Sequence, residues 1–239
     1  MKFNSKYKTV LLVSSFTAGV LVVLTQFAFA GYYEQLTPDE QALIRKGGQV
    51  VRTQDVDGDP WPQYTVYQKV NATPFETAAV FADFDRHQEF FPGIVSSKVT
   101  ESQPGGRLTL KYHLKKLGQT DETLVSEWVH RADSGYRVDW RLLSSHLAEK
   151  SDGFAAFESM GNAGESTLVV YSNLVVPNSS IPSFLLGIFK KKVEGEVKDS
   201  VSALLGRVRS VKADSNSSAD PTRAKLLTQE EEQLTKLTQ

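Results

Sequence analysis

The sequence predicts an α+β fold in which a curved antiparallel sheet of about six to seven strands wraps around a long C-terminal helix. Two observations carry this prediction. Segments of alternating apolar and polar residues, joined by short turns, fill the middle of the chain, which is typical of an antiparallel meander. An apolar stripe at steps of three and four then runs for about thirty residues, which indicates a helix with one buried face.

Residues 1–30 have the pattern of an export signal. Three Lys lie among the first residues, the stretch 10–28 is apolar and uncharged, and residues 28–30 (Ala-Phe-Ala) fit a cleavage site. We therefore expect a signal peptide. An uncleaved membrane anchor is the alternative, because the apolar run approaches the ~20 residues that span a bilayer. Either form predicts an exported chain, which in a bacterium would be periplasmic or secreted.

Composition excludes several classes of function. The chain has 239 residues, no Cys and a formal net charge of −1. Without Cys there is no disulfide, no thiol catalysis and no Cys-ligated zinc. The near-neutral charge argues against nucleic-acid binding, which usually needs a basic face. The leader holds three of the 27 basic residues and none of the 28 acidic ones, so its removal would leave a net charge of −4.

A short helix is predicted in the N-terminal extension, residues 31–48. Thr37 can cap this helix, and Glu40 stands three residues later, where its side chain can reach back to the capping residue. Two strand patterns follow, at 49–53 and 63–71, with an Asp-rich turn between them. The main domain is therefore expected to begin at residue 49.

Residues 71–94 predict a short helical excursion between two strands. Thr73 can cap its helix and Glu76 can complete a capping box. The excursion ends in residues 90–93 (Phe-Phe-Pro-Gly), where Pro and Gly stop regular structure. A strand pattern at 94–100 follows.

Five further strand patterns fill the middle of the chain. Alternation of apolar and polar residues is clean in the first and third and weaker in the second, whose largest side chain is Trp128. Short turns that contain Gly separate them, so neighbouring strands are expected to be antiparallel. The five segments are 107–115, 123–131, 136–142, 153–160 and 166–176.

The long helix is predicted from Pro182 to Val211, with its apolar stripe against the concave face of the sheet. The main domain is expected to end at residue 212. A linker and a polar, amphipathic tail fill 213–239, and we expect the end of this tail to be a detached helix or disordered.

Two parts of the chain resemble the START-like (SRPBCC, helix-grip) superfamily, and most closely its polyketide cyclase and coenzyme Q-binding START branch. The first part is residues 72–99, in which Asp83 and residues 90–92 match the family pattern, although His87 and Gln88 replace its usual Tyr-Pro. The second is the 164–171 strand with the Pro-flanked link and long helix after it. The resemblance covers about residues 63–212.

The resemblance implies the helix-grip fold, with two short helices after the first core strand, in an exported bacterial member. It also implies a cavity between the sheet and the C-terminal helix for a hydrophobic ligand, such as a lipid, a fatty acid or an isoprenoid quinone. On the residues alone, a filled core and a cavity both stay open. The candidate ligand-binding residues are the large apolar side chains Phe91, Tyr112, Trp128, Trp140, Phe154, Phe184 and Ile188, with Phe157 as the alternative to Phe154.

No catalytic residue, cofactor or metal site is predicted. The four His have no metal-ligand spacing and are expected to be ordinary surface or loop residues, His87 among them. Ser126 and Glu158 are candidates to orient a ligand if they face inward. We therefore expect a non-enzymatic binding protein. The alternatives are a cyclase or aromatase that uses the same cavity, and a protein-interaction module with a filled core.

Transient membrane contact is a further hypothesis. Residues 184–189 are largely apolar and Lys190, Lys191 and Lys192 follow them. Apolar groups beside a basic cluster suit an anionic membrane surface.

Overall fold

A computed structural model describes residues 31–116, 119–161, 164–178, 186–215 and 231–238. The predicted leader, the predicted start of the long helix at Pro182 and the candidate residue Phe184 lie outside this described part. The boundaries proposed for the domain and its extensions stay predictions.

The described residues contain one antiparallel sheet of eight strands, in the order β1-β2-β8-β7-β6-β5-β4-β3. The prediction of a meander is confirmed, because β3 to β7 each pair with the next strand along the chain. The sheet exceeds the expected six to seven strands because the 49–54 segment pairs with β2 and extends the edge. The strands are β1 Gln49–Gln54, β2 Gln63–Val70, β3 Ile94–Gln103, β4 Arg107–Lys116, β5 Gln119–Ala132, β6 Gly135–Ser144, β7 Ala148–Met160 and β8 Ser166–Pro177.

The short helices begin where the capping signals predict. Helix α1 spans Pro38–Arg45 and helix α2 spans Pro74–Ala82. In each helix, the side chain of the Thr before the Pro accepts a hydrogen bond from the backbone N–H of the Glu three residues later. The side chain of that Glu in turn accepts a hydrogen bond from the backbone N–H of the Thr. A 3-10 helix, Phe84–Glu89, follows α2 and leads into β3. The long helix α3 spans Leu186–Ser215.

The two faces of the sheet carry different helices. We call the face against α3 the inner face and the other the outer face. On the inner face the buried stripe of α3, which includes Val201 and Leu204, packs with α2 and the strands into the main hydrophobic core. On the outer face Ile44 of α1 packs with Leu168 of β8 and forms a smaller core. The sheet is therefore covered on both sides, and α3 and α2 define the interior.

The end of the tail is not detached, contrary to our expectation for this region. Residues 231–237 are helical, and Leu234 is fully buried in the main core. Gln233 Nε2 donates a hydrogen bond to the carbonyl of Ala82 at the end of α2 (3.1 Å). Burial of a Leu side chain contributes roughly 2 kcal/mol, which offsets part of the ordering cost of the segment. Among the described helices none is long and apolar enough to cross a membrane.

Candidate functional site

A cavity of about 500 Å³ lies between the inner face of the sheet and α3. Its walls are mainly aromatic and aliphatic, and a few polar groups interrupt them. The wall runs from Phe81, His87 and Glu127 to Ala148, Pro177 and Phe189, near the start of α3. A space of this size falls within the range of about 300–1,000 Å³ that ligand pockets occupy.

Three of the predicted ligand-binding residues line this cavity: Phe91, Tyr112 and Trp140. Phe91 follows the 3-10 helix, whereas Tyr112 and Trp140 project from β4 and β6 onto the inner face. Trp140 is held in place because its Nε1 donates to Asn173 Oδ1 on β8 (3.3 Å) and its ring packs on that of Tyr171. The structure thus brings these three side chains together, and their contact with a ligand stays a prediction.

Trp128 does not line the cavity, and its expected placement is corrected. Successive strand residues point to opposite faces, and in β5 the inner position belongs to Glu127. Trp128 therefore lies on the outer face, where it is 39% exposed. Its Nε1 donates to the Gly105 carbonyl (3.0 Å), and its ring stacks on that of His130 with centroids 4.0 Å apart.

Phe154 is also absent from the cavity wall. It belongs to the outer core, where its ring stacks on that of Tyr32 (5.7 Å between centroids) and the Arg137 guanidinium lies over it. The alternative, Phe157, is buried in the inner core. Beyond the register irregularity between Ala148 and Lys150, the odd-numbered residues of β7 therefore face inward.

The start of α3 divides its apolar residues between two environments. Ile188 is 65% exposed and does not line the cavity, whereas its neighbour Phe189 does. Lys192, one turn further along α3, also borders the cavity. Helical periodicity explains this split, because adjacent residues of a helix lie about 100° apart around its axis.

Three polar side chains that are far apart in sequence meet at one end of the cavity. The Tyr112 hydroxyl lies 3.0 Å from His87 Nδ1 and 3.2 Å from Glu127 Oε1. His87 Nε2 lies 2.7 Å from the carbonyl of Phe81, which fixes the proton on Nε2 because a carbonyl can only accept. All three side chains are buried, and Glu127 Oε2 has no hydrogen-bond partner among the described residues.

Burial favours the neutral form of each member of this cluster. Burial raises the pKa of Glu127 to about 8, and the hydrogen bond with Tyr112 opposes this only in part. Burial lowers the pKa of His87 to about 4, although its bond to Phe81 opposes the shift. The pKa of Tyr112 is raised well above its ordinary value, first by burial and then by the carboxyl of Glu127. At neutral pH the cluster is uncharged.

A second polar group, Asp121, borders the cavity and is fully engaged in hydrogen bonds. Its carboxylate accepts from the Thr123 hydroxyl (2.8 Å), from the Ser145 hydroxyl and from the backbone N–H of His146 (3.0 Å). Burial alone would raise the pKa of Asp121, but these bonds together lower it. Asp121 therefore holds the turn between β6 and β7 in place, which makes it a structural group of the wall.

The sequence analysis missed Glu127 and misjudged His87. His87 is buried at 3% exposure, not on the surface, because the 3-10 helix turns it toward the interior. Ser126 faces the outer side, and Glu158 accepts the backbone N–H groups of Tyr32 and Tyr33 there. The sequence did contain one signal for Glu127. It stands two residues from both Val125 and Val129, so all three side chains point to the same face of the strand, and a carboxyl interrupts a row of apolar side chains.

Comparison with known proteins gives matches in structure only. The sequence matches no protein-family model and no curated protein. The fold is similar to that of a START superfamily protein from Mycobacterium smegmatis (17% identity, TM-score 0.55, 62% of this chain and 98% of that chain). It is also similar to a STAR-related lipid transfer protein from Xanthomonas axonopodis (16% identity, TM-score 0.57, 68% and 94%).

A third solved structure of the same architecture is the Zhui aromatase/cyclase from Streptomyces sp. R1128 (15% identity, TM-score 0.53, 67% and 94%). At such identities the similarity concerns the fold. The sheet of eight antiparallel strands and the long C-terminal helix on its inner face are consistent with that similarity. The chain therefore has the START-like helix-grip fold.

Proposed function

We propose that the chain is an exported protein that binds a hydrophobic ligand in the cavity between the sheet and α3, for transport or sequestration. The cavity itself carries the proposal: about 500 Å³ of space behind a mainly apolar wall. A lipid, a fatty acid or an isoprenoid quinone would gain roughly 25 cal/mol for each Å² of apolar surface that leaves water. The similarity to a solved lipid transfer protein supports the same class of ligand.

The observed cavity also argues against the interaction-module alternative, which requires a filled core. Export rests on the leader pattern of residues 1–30 and is part of the proposal. A fusion of these residues to a reporter that is active only outside the cytoplasm would test it. A reporter that stays inactive would remove export from the proposal and leave ligand binding untouched.

Ligand binding is tested by mass spectrometry of lipids extracted from the exported protein purified from its native host. We expect one apolar molecule in near-stoichiometric amount, displaced by a fluorescent apolar probe. The matched control is a variant with Val125→Phe, which places a larger side chain in the cavity wall. Lipid-free protein that also binds no probe would overturn the proposal.

The second candidate is an enzyme of the aromatase or cyclase type, and one observation favours it. Glu127, Tyr112 and His87 are ionisable groups that converge at one end of the cavity. An intramolecular aldol closure needs an acid for the carbonyl oxygen and a base for the proton of the attacking carbon. Glu127 could serve as the acid, because it holds its proton at neutral pH.

The enzyme candidate is tested by incubating the protein with a linear chain that bears several ketone groups. Cyclised products are followed by their ultraviolet absorbance. A rate above background that falls at least tenfold in Glu127→Gln would support catalysis. Asp121→Asn is the control, because Asp121 is a structural carboxylate of the same wall. If its rate equals that of the unchanged protein while the rate of Glu127→Gln is lost, the reaction depends on Glu127 and not on any carboxylate of the cavity.

We further propose that the start of α3 touches an anionic membrane during ligand exchange. Ile188 is exposed, and Lys191 and Lys192 lie exposed on the following turn. Each basic residue near an anionic surface contributes about 1 kcal/mol. Flotation with phosphatidylglycerol vesicles should recover the protein, and the double variant K191E/K192E should stay behind. Equal recovery of both proteins would contradict this contact.

A further inference from the structure

The carboxyl of Glu127 stands out among the buried groups of the described chain. Its Oε1 has the Tyr112 hydroxyl as partner, whereas its Oε2 is buried without a partner among the described residues. A buried polar atom without a partner destabilises the fold, because it has lost its hydrogen bonds to water and gained none in return. Glu127 lies on the cavity wall between Leu108 and Trp140, its neighbours in register on β4 and β6. A molecule in the cavity can therefore supply the partner that the described chain does not.

The chemistry of that partner follows from counting protons along the cluster. His87 Nε2 carries the ring proton, because it faces the Phe81 carbonyl, so Nδ1 of the neutral ring must accept. The only hydroxyl within reach of Nδ1 in the described structure is that of Tyr112, which has one hydrogen to give. The Tyr112 hydroxyl and Glu127 Oε1 lie 3.2 Å apart. Because that hydroxyl gives its one hydrogen to His87, its oxygen can only accept, and a neutral Glu127 carboxyl completes this contact by donating its own hydrogen through Oε1.

In this arrangement every hydrogen of the cluster is used, and Glu127 Oε2 remains as a bare acceptor. We propose, as a refinement that rests on the proposed function, that the ligand is an apolar molecule ending in a neutral hydrogen-bond donor, such as a hydroxyl group, which binds Glu127 Oε2. The donor class separates the ligands named above. A long-chain alcohol, a sterol-like alcohol or a hydroquinone carries the required hydrogen.

An ionised fatty acid or an oxidised quinone offers Glu127 only acceptors. To bind either one, Glu127 would have to turn its hydrogen toward the ligand through Oε2. Oε1 would then need the Tyr112 hydrogen, and His87 Nδ1 would lose its donor. The cost of an unpaired buried atom would then pass from Glu127 Oε2 to His87 Nδ1. A ligand carboxylate would also place an unpaired charge against an apolar wall.

The test compares probes that share one chain and differ at the end group. We would measure the affinities of the exported full chain for 1-dodecanol, dodecyl methyl ether, dodecanoate and dodecylamine by displacement of a fluorescent apolar probe. We expect 1-dodecanol to bind about tenfold more tightly than the ether, the fold-change typical of one satisfied buried hydrogen bond. Dodecanoate should bind more weakly still.

Two variants of Glu127 separate the role of the carboxyl from its size. Glu127→Gln keeps a donor for Tyr112 and an acceptor for the ligand, so the preference for the alcohol should survive. Glu127→Leu removes the acceptor, so the alcohol and the ether should bind within about twofold of each other. The affinity for the ether serves as the control for folding in both variants. If Glu127→Leu fails to fold, the comparison of the four probes in the unchanged protein still tests the inference.

The outcomes distinguish the two proposals. If none of the four probes binds, the proposed function fails. If all bind but the alcohol and the ether are equal in the unchanged protein, the cavity binds ligands and the inferred donor is wrong. A preference for dodecylamine that disappears in Glu127→Gln would also overturn the inference, because it would identify a cation and an ionised carboxylate in place of a neutral pair.

Discussion

The hydroxyl of Tyr112 lies 3.0 Å from Nδ1 of His87, and the two side chains come from elements 25 residues apart in sequence. Their rings stack at an interplanar angle of 15°. This pair ties the 3-10 helix to β4 and connects the packing of the fold to the polar end of the cavity. Both rings are buried, so the bond is protected from competition by water.

Removal of the Tyr112 hydroxyl should destabilise the fold. In Tyr112→Phe, His87 Nδ1 and Glu127 Oε1 lose their shared partner, and each buried polar group left without one costs about 1–3 kcal/mol. Urea unfolding followed by far-ultraviolet circular dichroism measures the loss. Tyr136→Phe is the control, since no hydrogen bond of its hydroxyl is described. Equal stability of the two variants would mean that the Tyr112 bonds contribute nothing net.

Glu127 should make the fold less stable as the pH rises. Its pKa is about 8 in the folded chain and 4.5 as an ordinary value, so the unfolded chain releases a proton that the folded chain keeps. The contribution is fully present below pH 4.5 and is lost as the pH rises through 8, with a limiting slope of about 1.4 kcal/mol per pH unit. Glu127→Gln should remove this slope, as urea unfolding across the range would show.

His87 should produce the opposite dependence in acid. Its pKa is about 4 in the folded chain and 6.5 as an ordinary value. Between these two pH values the unfolded chain binds a proton at His87 that the folded chain does not bind. Stability is therefore present above pH 6.5 and lost as the pH falls toward 4. Between pH 4.5 and 6.5 the slopes of His87 and Glu127 cancel in the unchanged protein. In His87→Gln, stability should therefore fall with rising pH from about 4.5 onward, because the slope of Glu127 is no longer opposed, as urea unfolding across the range would show.

A larger side chain in the cavity should weaken ligand binding at little cost in stability. Val125 is buried on the wall, so Val125→Phe should narrow the space and weaken binding of an apolar probe at least tenfold. Overpacking costs about 1–3 kcal/mol in a dense core, and the cavity should reduce that cost. Val95→Phe is the matched control, because Val95 is 59% exposed. Unchanged affinity in Val125→Phe would place the probe outside the cavity.

Truncation of Leu234 should release the C-terminal segment. Leu234→Ala removes a fully buried side chain, a change that costs about 2–5 kcal/mol in a core and less where the segment can detach. Hydrogen exchange should show lost protection in residues 231–238 and at the end of α2, where Gln233 binds. Unchanged protection there would mean that Leu234 contributes little to docking.

The order of the elements could be predicted because each rests on a local signal. The Thr-Pro starts of α1 and α2, the alternation of the strands and the stripe of α3 all depend on residues close in sequence. The faces of β5 and β7 could not be fixed, because the alternation in β5 is weak and β7 carries a Phe on each side. Trp128 and Phe154 were chosen for size, although Glu127 and Phe157 occupy the inner positions.

The polar cluster could not be predicted for a different reason. Residues 87, 112 and 127 come from a 3-10 helix and two strands, and only the register of β4 and β5 and the turn after α2 bring them together. No spacing in the sequence encodes that meeting. Likewise, the docking of Leu234 depends on a long-range fit that the short tail pattern does not reveal.

The buried Leu234 gives the last residues of the chain a mechanical role. Gln233 holds the end of α2, and Phe81, one residue before Ala82, lines the cavity. We therefore expect docking of residues 231–238 to be thermodynamically linked to the shape of the cavity wall. A molecule that rigidifies the wall around Phe81 should then slow digestion of this segment by a carboxypeptidase, so protease resistance would report occupancy of the cavity.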